Sequence, residues 1–397
     1  MTKMINSDGP RIHLAVDNCF ASKRWCRPDE WMALLKDLSI SNVEASADNE
    51  CDPLYAGPDY LADWLEQVLG QGERHGVKVV NLYSGHGTYA TLGLAHSDIR
   101  VRDRIQHEWL EKMIQSAAKL GAGLGFFCHA FPQAILDDAK AYHCAAEDLE
   151  KRLADLAAFA AEAGVRTIGV EQMYAPHLIP WTIGGAAEMM AKVVALGGCP
   201  LYITIDVGHQ CGQARFQRPG RAEIEKRIRG GLLSAQAPLL WLGPQTAHDC
   251  LDHAILAKAD TQQVLEDLSQ TMAEYPHLFA KPWDAQPYAW IEQLSCYSPI
   301  IHLQQTDGTA SRHLPFSEEN NKAGIINGPA LLSAIARSYE REATSGMPPR
   351  CSDIYLTIEV FSSTAANPRA IVRDIAESVD YWRQVVPEDG RRLSELL

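Results

Sequence analysis

Eight short apolar runs, each turning polar at its C-terminal end, constrain the fold of this chain more than any other feature. They are Arg11–Asn18, Ser41–Ser46, Val77–Ser84, Ala122–Cys128, Arg166–Tyr174, Leu201–His209, Pro299–Asp307 and Asp353–Phe361. Apolarity sustained over so few residues predicts strands buried on both faces, the condition of a parallel sheet. Between them, Asp59–Gln71, Ile105–Leu120, Ala145–Ala163, Ala186–Leu196 and Pro368–Val385 carry apolar residues at three- and four-residue spacing. That spacing predicts amphipathic helices. Alternating strands and helices give an α/β fold with a parallel sheet.

The polar tails of the runs decide between an open sheet and a closed one. Asp17, Glu44, Ser84, His129, Glu171, Asp206, His302 and Glu359 all stand at the ends of predicted strands. In a (β/α)8 TIM barrel those ends converge on one mouth, whereas an open sheet spreads them along an edge. A single barrel domain over residues 1–397 is therefore expected. The chain's 397 residues exceed the ~250 of a bare barrel. The longest step runs from Leu201 to Pro299, which puts the surplus in segment 210–298, between strands 6 and 7. That segment holds a basic stretch, Arg215–Arg229, and an apolar one, Leu232–Leu242. Extra helices are expected there, as a mouth or lid element, a subunit contact or a passive insertion.

Charge narrows the partners. Acidic residues number 50 against 36 basic ones, a net −14, which argues against nucleic acid or an anionic membrane. No apolar stretch approaches the ~18 residues of a membrane span, and Met1–Pro10 has no apolar signal core. Ten cysteines without a C-x-x-C pair read as reduced thiols. A cytoplasmic protein with a small-molecule partner is expected, and a homo-oligomer is compatible with the sequence.

Three strand ends carry the strongest chemical signal: Gly169-Val170-Glu171, Thr204–His209 and Thr357–Val360. Each places a carboxylate after an apolar run that buries the surrounding backbone. Buried carboxylates are costly unless paired or bound to a metal. With His302 on the strand between the last two, one divalent ion (Mn²⁺, Mg²⁺ or Co²⁺) suits the oxygen-rich donor set better than a thiolate zinc site. Two carboxylates on opposite sides of one ion also make an acid/base pair.

These residues resemble the xylose isomerase-like sugar isomerase and epimerase superfamily, of the tagatose or psicose 3-epimerase type. The resemblance is carried by Glu171, by the D-x-x-H of Asp206–His209, by His302–Gly308 and by Ile358-Glu359-Val360. It implies Glu171, Asp206 and Glu359 as metal ligands, with Glu171 and Glu359 also catalytic and His209 on a substrate hydroxyl. It also implies proton transfer next to a carbonyl, through an enediolate, on a small ketose or ketose phosphate. Where the family commonly has H-x-H, this chain has His302-Leu303-Gln304. Chemistry favours His302 as the fourth ligand and alignment favours Gln304, so both stand. A metal-dependent lyase, inosose dehydratase or decarboxylase is the neighbouring reading. An abasic-site endonuclease and a non-catalytic sugar-binding barrel are more distant ones.

Weaker candidates surround the set. Asp307, Arg312 and His313 lie in the loop after the seventh strand and read as substrate contacts or surface. His129 reads as substrate-binding or as a satisfied core polar group, and so do His13 and Asp17. Ser84–Gly87 could approach a ligand closely, and Asp48–Asp52 could close the mouth. Trp25, Trp31, Phe126, Phe127 and Tyr174 could wall a sugar site. Arg100, Arg102 and Arg104 read as a solvated helix start or a phosphate grip.

Overall fold

The strands form where the apolar runs lie, and those of the last five runs end before their runs do. In the computed structural model, which describes residues 9–46, 50–84, 93–230 and 239–397, they are β1 (Arg11–Asp17), β2 (Asn42–Ser46), β3 (Lys78–Ser84) and β4 (Gly123–Phe126). β5 (Ile168–Glu171), β6 (Tyr202–Asp206), β7 (Ile300–Leu303) and β8 (Asp353–Ile358) complete the set. All eight pair in parallel in chain order, and β1 pairs with both β8 and β2, so the sheet closes into a barrel. A two-residue strand, β9 (Arg391–Arg392), runs antiparallel to the start of β1. Where a run outlasts its strand, its last residues turn into the loops that form the mouth. No described helix is long and apolar enough to cross a membrane.

Register brings the functional strand ends to a common level. Asp17 lies opposite Glu44, Glu44 opposite Asn81, and Asp206 opposite His302. Side chains of this bulk need room inside the barrel, and β4 provides it. A Cβ on Gly125 would come within 3.0 Å of the Asn81 amide and 3.1 Å of the Tyr83 ring.

The helices ring the barrel: α1 (Pro28–Asp37), α2 (Pro58–His75), α3 (Glu111–Leu120), α4 (Ala139–Ala163) and α5 (Ile183–Gly197). Each buries one apolar stripe, such as Met113, Ile114 and Ala117 on α3. After β6 come three added helices, α6 (Arg221–Gly230), α7 (Gln245–Ala257) and α8 (Thr261–Glu274). Then α9 (Pro287–Leu294) packs between α5 and α10 (Gly328–Glu340) as a ring helix. α11 (Pro368–Val385) ends the ring.

The added segment touches loops that follow strand ends. The Gln245 N–H donates to Asp137 at 2.8 Å and the Tyr275 hydroxyl to the Asp137 carbonyl at 3.2 Å. Asp284, fully enclosed, accepts the Ile183 N–H at 2.8 Å at the start of α5. Part of the apolar stretch Leu232–Leu242, the tip of Asp48–Asp52 and most of Ser84–Gly87 lie outside the described residues.

Candidate metal centre

Four side chains from four consecutive strands meet at the mouth. Glu171 ends β5, Asp206 ends β6, His302 lies within β7 and Glu359 follows β8. One donor atom from each lies within 4.8 Å of the others, and all four residues are buried. Ligands around one hard divalent ion sit at ~2.1 Å from it, so opposite ligands are about 4.2 Å apart. The set is that shell slightly expanded.

His302 is the hub. Its Nδ1 lies 3.0 Å from Glu171 Oε1 and 3.4 Å from Glu359 Oε2, while its Nε2 lies 2.8 Å from Glu44 Oε2. Burial disfavours a charged ring, but Glu359, Glu44 and Glu171 together hold its pKa well above the ordinary histidine value. Glu171 also accepts the Tyr83 hydroxyl. Burial pushes the Glu171 carboxyl up, and the hydrogen bond and charge of His302 bring it below the usual range. Asp206 Oδ1 accepts the N–H groups of Gly208 at 2.6 Å and His209 at 3.1 Å. Its carboxyl is likewise lowered, against burial, by His209, His313 and His302.

The donor set fits a divalent cation. Three carboxylates and one imidazole converge, and among the described residues the ion pairs of these carboxylates and of Glu44 are with histidines. That leaves buried negative charge in excess, which a doubly charged ion would offset.

Gln304 stands differently from His302. Its Oε1 accepts the His313 N–H at 2.7 Å, which turns Nε2 toward Asp206 at 2.8 and 3.0 Å. The amide thus offers the cluster a donor rather than a lone pair. The fit is tight, since a Cβ on Gly208 would lie 2.3 Å from the Gln304 side chain.

Above the cluster opens a cavity of about 630 Å³ whose lining includes Tyr83, Glu171, His209, Arg312, His313 and Glu359. His209 Nδ1 meets the Gln172 carbonyl at 2.8 Å, and its ring meets Tyr174 edge-on at 5.1 Å. His313, in the left-handed region at φ 48, stacks on Phe361 at 3.9 Å. Phe127 and Tyr174 also line the cavity, whereas Trp31 and Phe126 pack in the core.

Other candidates sit elsewhere. His129 packs against Trp109 and Phe127 with Gly93 beside it, and is absent from the described lining. Burial lowers its pKa to about 3. Asp307 is exposed and bonds Thr309, with Arg312 at 3.8 Å, so it shapes the loop. His13 sits at the entry end of β1, paired with Asp353 at 3.0 Å. Arg100 is taken by Asp98, and Arg102 by Asp148.

Two residues of the cluster escape sequence reasoning about the site. Glu44 stands among the polar strand ends, but nothing in Asn42–Ser46 shows that it reaches His302 across the barrel. Tyr83 reads as an apolar strand residue, and its only signal is sharing parity with Asn81 on β3.

Residues 32–229 match the family described as the xylose isomerase-like TIM barrel. The D-erythrulose 1-phosphate 3-epimerase of Brucella abortus is 33% identical over 103 residues, a stretch spanning 26% of this chain and 30% of that protein. A Rhodospirillum rubrum protein provisionally described as a xylose isomerase superposes with a TM-score of 0.68 at 16% identity, covering 94% of this chain and 99% of that one. The D-psicose 3-epimerase of Clostridium cellulolyticum, solved with D-tagatose, does so at 0.53 and 11% identity, covering 94% and 99%. At such identities the structural likeness establishes the barrel.

Proposed function

Since the chain belongs to the xylose isomerase-like TIM-barrel family, we propose that it is a divalent-metal-dependent isomerase or epimerase of a small ketose or ketose phosphate. The observation that carries this reading is the meeting of Glu171, Asp206, His302 and Glu359 beneath one cavity, with both glutamates in its lining. The curated relative's name, a ketose-phosphate 3-epimerase, points the same way.

These four residues would hold the ion, which when bound supplies Lewis-acid polarisation of the substrate carbonyl. His302 is the fourth ligand in this reading, because Gln304 has committed its oxygen to the loop. Glu171 and Glu359 approach the cavity from β5 and β8 and act as the acid/base pair, one taking the proton beside the carbonyl and the other returning one. His209, held by the Gln172 carbonyl, presents its other nitrogen to a substrate hydroxyl. Glu44 and Tyr83 position His302 and Glu171 from the far side. The added segment packs on the loops after β4 and β5, and its Arg215 lines the cavity.

The test is solvent deuterium exchange with D-tagatose, D-psicose and D-erythrulose 1-phosphate on Mn²⁺-loaded protein, followed by NMR. Exchange at the carbon next to the carbonyl without loss of a leaving group supports the reading. Release of water or carbon dioxide would replace it with the lyase reading. A two-base epimerase should leave Glu359→Gln able to wash deuterium out of one epimer through Glu171 while failing to form the other.

A further inference from the structure

The cavity has opposite charge at its two ends. Its floor holds Glu171 and Glu359, whereas the charged residues of the described lining nearer solvent are Lys23, Arg215 and Arg312. In a chain of net charge −14, a lining whose solvent-side charges are three cations, one of them with Asp307 beside it at 3.8 Å, departs from the surface average and sets up a field that draws anions. Ser22 and Ser362 also line the cavity, whereas the Thr309 hydroxyl donates to Asp307 at 2.6 Å and that of Ser311 is bonded to the Gln304 amide.

Each cation rides on backbone that a neighbouring residue fixes. Beside Lys23, the Arg24 guanidinium binds the carbonyls of Ser363, Thr364 and Ala366 at 3.1, 3.1 and 2.7 Å. Beside Arg215, Phe216 packs edge-on against Trp181 and Trp241, at 5.9 and 5.1 Å. Beside Arg312, His313 is stacked on Phe361 and bonded through its N–H to Gln304. Lys23 and His313 both adopt left-handed backbone, φ 68 and 48. That conformation is costly for a residue with a side chain and recurs at functional sites. Arg312 lies 3.8 Å from Asp307 and 3.3 Å from the Thr309 hydroxyl, at the loop's outer edge, and all three cations are exposed.

From this arrangement we infer that the rim is a phosphate subsite: Lys23, Arg215 and Arg312 bind the phosphate ester of a ketose whose carbonyl end reaches the acidic floor. The inference rests on the isomerase reading for the orientation of the sugar and names its substrate class as ketose phosphates. A phosphate dianion suits several cations better than a single carboxylate would, since it offers three acceptor oxygens to donors on three different loops.

Calorimetric titration tests it as binding, with the metal-free protein as the arm free of turnover. The probes are D-erythrulose 1-phosphate, D-erythrulose and 5-keto-D-gluconate, whose anionic end is a carboxylate. They are added to metal-free and Mn²⁺-loaded protein. The phosphate ester should bind at least tenfold more tightly than the other two. Arg215→Gln and Arg312→Gln should each weaken it about tenfold, with Lys23→Gln smaller. Equal affinity for ester and free ketose, or unchanged binding in all three variants, overturns the subsite. Equal affinity for 5-keto-D-gluconate overturns its assignment to phosphate. The two readings fail separately. Deuterium exchange that needs Glu359 but ignores the rim keeps the isomerase and removes the subsite. Rim-dependent ester binding without exchange does the reverse.

Discussion

Glu171 and Asp206, at the ends of β5 and β6, and Glu50, just beyond β2, are buried carboxylates at the same mouth of one barrel, and they are held in opposite states. The first two lie among histidines, and both carboxyls fall below their ordinary values in spite of burial. Burial pushes Glu50 up to about 7, and its neighbours Trp64, Trp31 and Asn18, whose amide donates at 2.9 Å, only partly oppose this. The difference lies in the partner. A neutral donor softens desolvation, whereas an imidazole able to carry charge reverses it. The strand ends of β5 and β6 are thus built to keep charge at the mouth, and the loop after β2 to bury a carboxyl that is neutral through much of the acid range.

The largest expected effect breaks the charged half chemically. Glu359→Gln should lower turnover on an accepted ketose by ~10²–10⁴-fold while substrate binding persists, read by exchange kinetics beside a binding titration. Near-normal turnover in both Glu359→Gln and Glu171→Gln, with metal present in each, would end the carboxylate-pair reading and leave His209 as the next base to examine.

Next comes the identity of the fourth ligand. His302→Ala should weaken Mn²⁺ binding by more than about 100-fold, and Gln304→Ala, which removes a donor to Asp206, by about 10–100-fold, the cost of losing a residue that positions a ligand. The reverse ranking in a metal titration would make Gln304 the ligand.

Glu50 sharpens the other side of the comparison. Its folded pKa lies above its unfolded value of 4.5, so its stabilising contribution is complete below pH 4.5 and lost as pH rises through about 7. Across that window the loss amounts to about 3 kcal/mol. Glu50→Gln removes the titration, so its stability relative to the parent should rise by that order between pH 4.5 and 8 in urea unfolding. A flat difference would show that Glu50 is not held as described.

The smallest effect is that of Glu44→Gln. A glutamine oxygen can still accept from His302 Nε2, so metal affinity should fall only about tenfold, and Glu44→Ala should fall further. Equal losses would mean that Glu44 fills space without orienting the ring.

Much of this was legible beforehand. The strands fall inside the runs that apolarity marks, because burial on both faces dictates composition residue by residue. Glu171, Asp206, His302 and Glu359 stood out because a charge after such a run has no solvent to fall back on. The predicted strands overran at Arg166–Tyr174 and Leu201–His209, since a strand end and the loop carrying its function look alike in composition. His129 and Asp307 shared the residue types of the site without its direction, one turned into an aromatic pocket and the other outward to its own loop.

What the sequence determined by itself, then, was the alternation of buried strands and amphipathic helices and the carboxylates at the strand ends, because both follow from local burial and its cost. The tertiary structure alone decided that Glu44 and Tyr83 grip the cluster from the opposite wall, that Gln304 spends its oxygen on His313, and that Lys23, Arg215 and Arg312 share one rim. Those are contacts between residues far apart in the chain. Their distances are set by barrel closure and strand register, which no local pattern encodes.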